Sequence, residues 1–219
     1  MVGKLLNLGV DVVTVDYEGS SEEESSNKVS LKTKMNLLKE LKDLYTKIEK
    51  GKSFTVTPLK KIVSDLVDEC ICKRPKYNKM TEFDHAYSVH SLNVGIMALL
   101  TGMRLEYNKD KLINVTLGAL LHDIGKAVDE KNHCEEGYKL LKDCQEVPPT
   151  VYIVPTQHHI SNLKANCHEF SKIISICNTY DNLLDKGLNV KDAIKEIVAQ
   201  SGLLIEEQYI KAFLYSVLM

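Results

Sequence analysis

The sequence predicts an all-α protein, a helical bundle that follows a short N-terminal segment with strand character. Apolar residues recur at helical spacing from about residue 31 almost to the end of the chain. Residues that favour helix starts and helix stops interrupt this pattern at intervals. After the acidic stretch at 19–28 we find no convincing strand and no internal repeat.

The N-terminal segment differs from the rest of the chain. Residues 4–16, LLNLGVDVVTVDY, are typical of a helix end, a glycine turn and a short β-branched strand. One strand is not stable alone, so we expect residues 1–18 to be the remnant of a small module or to pair with a second chain. A polar acidic linker is predicted at 19–29, which leaves 30–219 as the helical domain.

The predicted helices follow in order. The first has apolar residues at helical spacing, and the second begins at the helix-start pair Thr57-Pro58. The third is strongly apolar along its length, and the fourth stops at Gly125. The predicted ranges, which amount to seven to nine helices, are 31–50, 57–73, 83–103, 109–124, 133–145, 149–159, 168–185, 190–200 and 206–218.

Composition excludes several classes of function. The chain has 219 residues and a net charge of −2, which argues against general binding to nucleic acids or anionic membranes. No signal peptide is visible, and no window approaches the roughly 20 apolar residues of a membrane span. The six cysteines form no CxxC pair, so we interpret them as reduced thiols in a cytoplasmic protein.

Histidines lie in segments that otherwise look buried, where an imidazole needs a partner. Imidazoles and a carboxylate are ligands for divalent metals, and Asp123 next to His122 could bridge two ions about 3.5–4 Å apart. On spacing alone, ordinary hydrogen-bonded histidines remain an alternative, and we favour that alternative for His85 and His168. The candidate ligands are His90, His122, Asp123, His133, His158 and His159.

The order H…HD…H…HH resembles the HD superfamily of metal-dependent phosphohydrolases and, within it, the HD-GYP branch. The segment LLHDIGK at 120–126 is very similar to the central motif of the superfamily. The resemblance covers about residues 55–219 and implies an HD-type helical bundle. Its other motifs are HSLNV at 90–94, HCEEGYKLL at 133–141, HH at 158–159 and ISICNTYDNLL at 174–184.

By this resemblance the six candidates are metal ligands, with Asp123 also catalytic. Lys126 would be the active-site lysine that holds a phosphate oxygen, although a cation there could instead stabilise a helix C-terminus. Asn178 occupies the position of the final metal-binding aspartate and would be a weak ligand. Asp181 would lie near enough to support the site or Lys126, with an exposed helix position as the alternative.

The chain also departs from the HD-GYP pattern. The Gly-Tyr-Pro loop that follows the paired histidines in that branch is missing, as is the RPY-like stretch after the last ligand segment. Ala86 stands where some members have a glutamate for a third metal, so the sequence supports two metals at most.

We therefore predict a two-metal phosphohydrolase, in particular a phosphodiesterase for a cyclic dinucleotide of the c-di-GMP type or a related nucleotide. Family resemblance favours iron or manganese, while histidine-rich ligation also suits zinc or nickel. One alternative is a catalytically weakened signalling module that binds a nucleotide or a protein partner. Another is an HD-type nucleotide phosphatase. A homodimer is compatible with each hypothesis.

Overall fold

The computed structural model of the chain describes residues 28–81, 83–159, 161, 166–199 and 205–218. The N-terminal segment predicted at 1–18 and nearly all of the linker predicted at 19–29 lie outside this part of the chain. Within the described residues the regular structure is helical, apart from isolated bridge positions, among them a parallel bridge between Lys28 and Lys76. The prediction of an all-α fold is confirmed for these residues.

Eight of the described helices have ten residues or more, which agrees with the predicted seven to nine. A 3-10 turn over Ile124–Ala127 follows α4, and α6 and α7 are single turns. The helices are α1 Leu31–Glu49, α2 Thr57–Lys73, α3 Ala86–Arg104, α4 Lys109–Leu121, α5 His133–Lys142, α6 Pro149–Tyr152, α7 Val154–Gln157, α8 Glu169–Asp185, α9 Val190–Ala199 and α10 Glu207–Leu218.

Helix α3 is the centre of the bundle. Its residues 91–102 are all buried, as expected for a helix that is apolar on every side. One of its faces packs with α1, α2 and α4 in a core that includes Leu92 and Leu99. The opposite face packs with α8 and α10 in a second core that includes Met97. No helix among the described residues has the length and apolar character to cross a membrane.

Two predicted helices end differently in the structure. The helix predicted over 149–159 is divided into α6 and α7, because Pro155 has no N–H to continue the hydrogen bonding of α6. Helix α4 ends at Leu121, so the predicted stop at Gly125 was wrong. His122 follows α4 as its C-cap, and the chain then tightens into the 3-10 turn.

Gly125 has a packing role that the sequence pattern did not indicate. A Cβ atom at this position would lie 2.0 Å from the carbonyl oxygen of His133 and 2.5 Å from the amide nitrogen of Gly137. Real Cβ atoms do not approach backbone so closely, so only glycine allows the 3-10 turn to contact the start of α5. This contact brings His133 close to Asp123.

Candidate metal centre

Asp123 lies at the centre of a ring of imidazoles that come from four different helices or helix ends. It is the residue between the α4 cap and the 3-10 turn, and only 3% of it is exposed. A carboxylate in such a place needs partners. Imidazoles surround it from α3, the end of α4, the start of α5 and the end of α7, namely His90, His122, His133 and His158.

The two oxygens of Asp123 divide the imidazoles into two groups. Oδ2 lies 3.4 Å from Nε2 of His122 and 3.8 Å from Nε2 of His90. Oδ1 lies 3.4 Å from Nε2 of His133 and 3.3 Å from Nε2 of His158. His159 joins the second group, since its Nε2 is 3.1 Å from Nε2 of His133. As candidate metal ligands, His90 and His122 are called the first ligand set, and His133, His158 and His159 the second.

Three of these imidazoles each form the same kind of backbone hydrogen bond, to the carbonyl of the residue three positions before the histidine. The Nδ1–H of His122 donates to Ala119 at 2.7 Å, and the Nδ1–H of His158 donates to Pro155 at 2.8 Å. His133 donates in the same way to Glu130 at 2.8 Å. A carbonyl oxygen only accepts, so each Nδ1 carries the proton and each neutral Nε2 presents a lone pair. All three lone pairs point towards Asp123.

His90 is oriented by a carboxylate instead of a carbonyl. Its Nδ1 lies 2.8 Å from Oδ2 of Asp181, which is completely buried on α8. Asp181 also pairs with Lys79 at 3.0 Å. The alternative that Asp181 is merely an exposed helix residue is therefore wrong. On the other ring nitrogen of His90, Oδ1 of Asn178 lies 3.0 Å from Nε2. Asn178 therefore faces the first ligand set.

The arrangement fits a cation better than it fits hydrogen bonding among these side chains. Nε2 of His122, Oδ1 of Asp123 and Nε2 of His158 are buried and have no hydrogen-bond partner. Bare lone pairs on nitrogen face a carboxylate, which is unfavourable unless positive charge lies between them. Separations of 3.3–3.4 Å match those between ligand atoms that share one ion at bonds of about 2.0–2.1 Å. The residues present thus fit divalent metal ions.

Protonation states around Asp123 also suit metal binding. Burial acts to raise the pKa of Asp123, but His122 and His158, when their rings are protonated, outweigh it through positive charge and N–H donation and hold the pKa well below its usual range. Burial lowers the pKa of His158, and burial together with His158 and His133 lowers the pKa of His159 to about 4. Near neutral pH the carboxylate is therefore charged and both imidazoles are neutral, as metal ligands must be.

Lys126 lies on the 3-10 turn and reaches back to Asp123. Its Nζ is 2.5 Å from Oδ2 of Asp123 and 5.4 Å from the centre of the Tyr87 ring. The side chain is partly exposed, at 21%. The ammonium therefore stands between solvent and the buried carboxylate, where it can meet a charged group that enters from outside.

The two histidines that we set aside as ordinary residues each begin a helix. Nδ1 of His85 accepts a hydrogen bond from the amide of Ser88 at the start of α3, at 3.3 Å. Nδ1 of His168 accepts one from the amide of Phe170 at the start of α8, at 3.2 Å. Because Nδ1 accepts in both imidazoles, the proton of each neutral ring lies on Nε2, and no lone pair remains for a metal.

Sequence reasoning missed two residues at the centre. Lys79 pairs with both Asp181 and Asp185, and no motif pointed to it. Cys134 has its Sγ 3.6 Å from Nε2 of His133, and its position directly after a candidate ligand was the available signal. Burial, followed by the charge of Asp123, raises the pKa of the Cys134 thiol.

A separate cavity of about 600 Å³ lies at the C-terminal end of α3 and contains none of the histidines. Arg74, Arg104 and Tyr107 are among the residues that line it. His90 lies on the same helix, fourteen residues before Arg104, which corresponds to a distance of about 20 Å along the helix axis. The cavity and the metal centre are thus distinct places in the fold.

The family model for the HD domain matches residues 87–200, which is more than half of the chain. This chain belongs to the HD domain family. The match includes every residue of both ligand sets, as well as Asp123 and Lys126. Comparison with curated proteins and with solved structures found no significant match.

Membership in the HD family indicates a metal-dependent phosphohydrolase, and the His/Asp groups of the structure are candidate ligands for divalent metals. The prediction of the superfamily is thereby confirmed. The family match concerns the HD domain in general, so the HD-GYP branch stays a prediction.

Proposed function

We propose that this HD protein is a two-metal phosphohydrolase in which Asp123 bridges the ions. The observation that carries the proposal is the division of the imidazoles between the two oxygens of one carboxylate. Oδ2 would serve the first ligand set, with Asn178 as a further weak ligand, and Oδ1 would serve the second. Each set has ligand atoms within 4.8 Å of one another.

Two ions held by these residues would make a hydroxide nucleophile available at neutral pH and would neutralise charge on the phosphoryl group. The protein's own contribution is orientation. The Nδ1 hydrogen bonds of His122, His133 and His158 fix which ring nitrogen faces the centre. Lys126 holds a phosphoryl oxygen with its ammonium and stabilises the charge that develops there.

The two ligand sets differ in charge and therefore in affinity. Asn178 offers a neutral amide oxygen where the family has a carboxylate, so the first set neutralises less charge than a standard HD centre. We infer that the second set is occupied at lower metal concentration. Iron or manganese agrees with the family resemblance, and zinc or nickel agrees with the imidazole-rich ligation.

For the substrate, we propose a cyclic dinucleotide of the c-di-GMP type or a related nucleotide, because the motif order resembles the HD-GYP branch. Two observations each support an alternative function. Asn178 favours a catalytically weakened module that binds a nucleotide or a protein partner in signalling. The missing Gly-Tyr-Pro sequence after the paired histidines favours a nucleotide phosphatase on the same scaffold.

The first experiment is to measure metal content per chain by plasma mass spectrometry, on protein purified without a histidine tag or chelator. We expect about two ions in the wild type and far fewer in Asp123→Ala. Asp65→Ala on the exposed side of α2 is the matched control and should bind as the wild type does. Absence of metal after reconstitution with iron, manganese and zinc would overturn the proposal.

Metal-loaded protein is then tested on cyclic dinucleotides, linear dinucleotides, and nucleoside mono- and triphosphates. Cleavage of a phosphodiester supports the phosphodiesterase, whereas release of phosphate only from monoesters supports the phosphatase. Binding of a nucleotide without turnover would support the weakened signalling module. Asp123→Ala must lose any activity that belongs to this site.

A further inference from the structure

We propose that Cys134 is a thiolate ligand of the second ligand set and makes that position prefer zinc over manganese. This inference rests on the proposed two-metal function, because it concerns the ion that His133, His158 and His159 would hold. It adds a sulfur to a centre that the sequence motifs describe with nitrogen and oxygen alone.

The position of the sulfur fits a shared ion. Sγ of Cys134 lies 3.6 Å from Nε2 of His133. For tetrahedral zinc with Zn–S of about 2.3 Å and Zn–N of about 2.0–2.1 Å, sulfur and nitrogen stand about 3.5 Å apart. Ligand atoms of Cys134 and the three histidines all lie within 4.8 Å of one another.

Two further observations point to a ligand between these side chains, independently of the cysteine. Nε2 of His158 is buried without a hydrogen-bond partner and faces Asp123. Nε2 of His133 and Nε2 of His159 are 3.1 Å apart, and the Nδ1 of His133 already carries its proton. With the proton of each ring on Nδ1, both nitrogens offer a lone pair and one cation between them would be held by both.

Helix α5 places the thiol where it can share the ion. His133 and Cys134 are the first two residues of α5, and the contact with Gly125 holds this helix start against Asp123. The other half-buried thiol of this region, Cys144, comes two residues after α5 ends.

Coordination here is an acid–base step with no change of oxidation state. The S–H bond of Cys134 breaks, its proton passes to solvent, and a sulfur–metal bond forms. Thiolate is a soft ligand that favours zinc, whereas manganese prefers oxygen. The second ligand set should therefore bind zinc much more tightly than manganese, and part of that preference should depend on the sulfur.

The test uses the full chain loaded with cobalt(II), a spectroscopic substitute for zinc. Wild type and the matched control Cys144→Ser should show a near-ultraviolet sulfur-to-cobalt charge-transfer band, and Cys134→Ser should lack it. Competition with a chromophoric chelator should show that Cys134→Ser loses about tenfold or more in zinc affinity, while its manganese affinity changes little.

A second measurement needs no variant and decides the matter if Cys134→Ser does not fold. Wild-type protein is labelled with a thiol-selective reagent with and without zinc, and the labelled cysteines are mapped by mass spectrometry. Protection of Cys134, but not of Cys144, supports the proposal. Two bound ions with no sulfur band and no protection would overturn it and leave the proposed function intact. If the wild type binds no ion at all, the proposed function fails first.

Discussion

Nδ1 of His90 lies 2.8 Å from Oδ2 of Asp181, and Asp181 is completely buried. The same carboxylate pairs with Lys79, which comes from the segment before α3. Met80, the next residue of that segment, is held by Asn93, whose side chain both accepts from its amide and donates to its carbonyl. A histidine and a lysine thus meet on one aspartate that is distant from both in the chain.

Asp181→Asn should weaken metal binding at the first ligand set by about 10- to 100-fold, the usual effect of losing a carboxylate behind a ligating histidine. Asp185→Asn is a close control, because Asp185 is exposed, lies one turn further on α8 and also pairs with Lys79. Competitive titration with a chelator measures both affinities. Equal affinities in the two variants would refute an orienting role for Asp181.

Asn178→Asp should raise metal affinity and turnover. Its Oδ1 already lies 3.0 Å from Nε2 of His90, so a carboxylate would add charge at the first ligand set without moving the backbone. Asn189→Asp, at an exposed position shortly after the same helix, serves as the control for an added charge, since the hydrogen bonds of its side chain are with Asp192. Metal titration and the activity assay measure the result. A lack of gain in both would show that position 178 does not contact an ion.

Lys126→Met should reduce turnover by about 10²–10³-fold, as removal of a group that stabilises transition-state charge does, and should leave metal content intact. Metal content should stay intact because Lys126 contacts Asp123 through its ammonium and is not itself a candidate metal ligand. Lys131→Met, at an exposed position beyond the 3-10 turn, should behave as the wild type. Loss of both metals in Lys126→Met would point to a structural role.

Gly125→Ala should destabilise the fold by about 1–3 kcal/mol, the usual range for overpacking, and should weaken the second ligand set. The added methyl would overlap the carbonyl of His133, which is backbone and cannot turn aside. In Gly118→Ala the atom nearest to the new Cβ is a side-chain methyl of Val154 at 3.3 Å, so the loss of stability should be smaller. Urea denaturation of both variants gives the comparison.

In chelator-treated protein, the free energy of unfolding should fall as the pH is lowered from about 6.5 towards 4. Burial and the neighbouring imidazoles lower the pKa of His159 to about 4 in the fold, whereas an unfolded histidine titrates near 6.5. Between these values the unfolded chain binds more protons, so acidification favours unfolding. Thermal denaturation across this range should show a flatter dependence for His159→Gln. Parallel curves would contradict this assignment.

Several helix bounds could be read from local signals. Thr57-Pro58 marked the start of α2, and the apolar run of α3 indicated a helix buried on all sides, as observed. Local signals failed where a contact with a distant part of the chain determined the backbone conformation. Gly125 is such a case, because its role depends on the approach of His133 and Gly137.

The sequence by itself determined the helical class, because periodicity is a local property, and its resemblance to the HD superfamily implied the candidate ligands around an adjacent His-Asp pair. Only the tertiary structure decided that the two oxygens of Asp123 face different imidazoles, that Asp181 orients His90, and that Cys134 adjoins the second ligand set. Those relationships join side chains from separate helices. They depend on how the helices pack, and no short stretch of sequence encodes that.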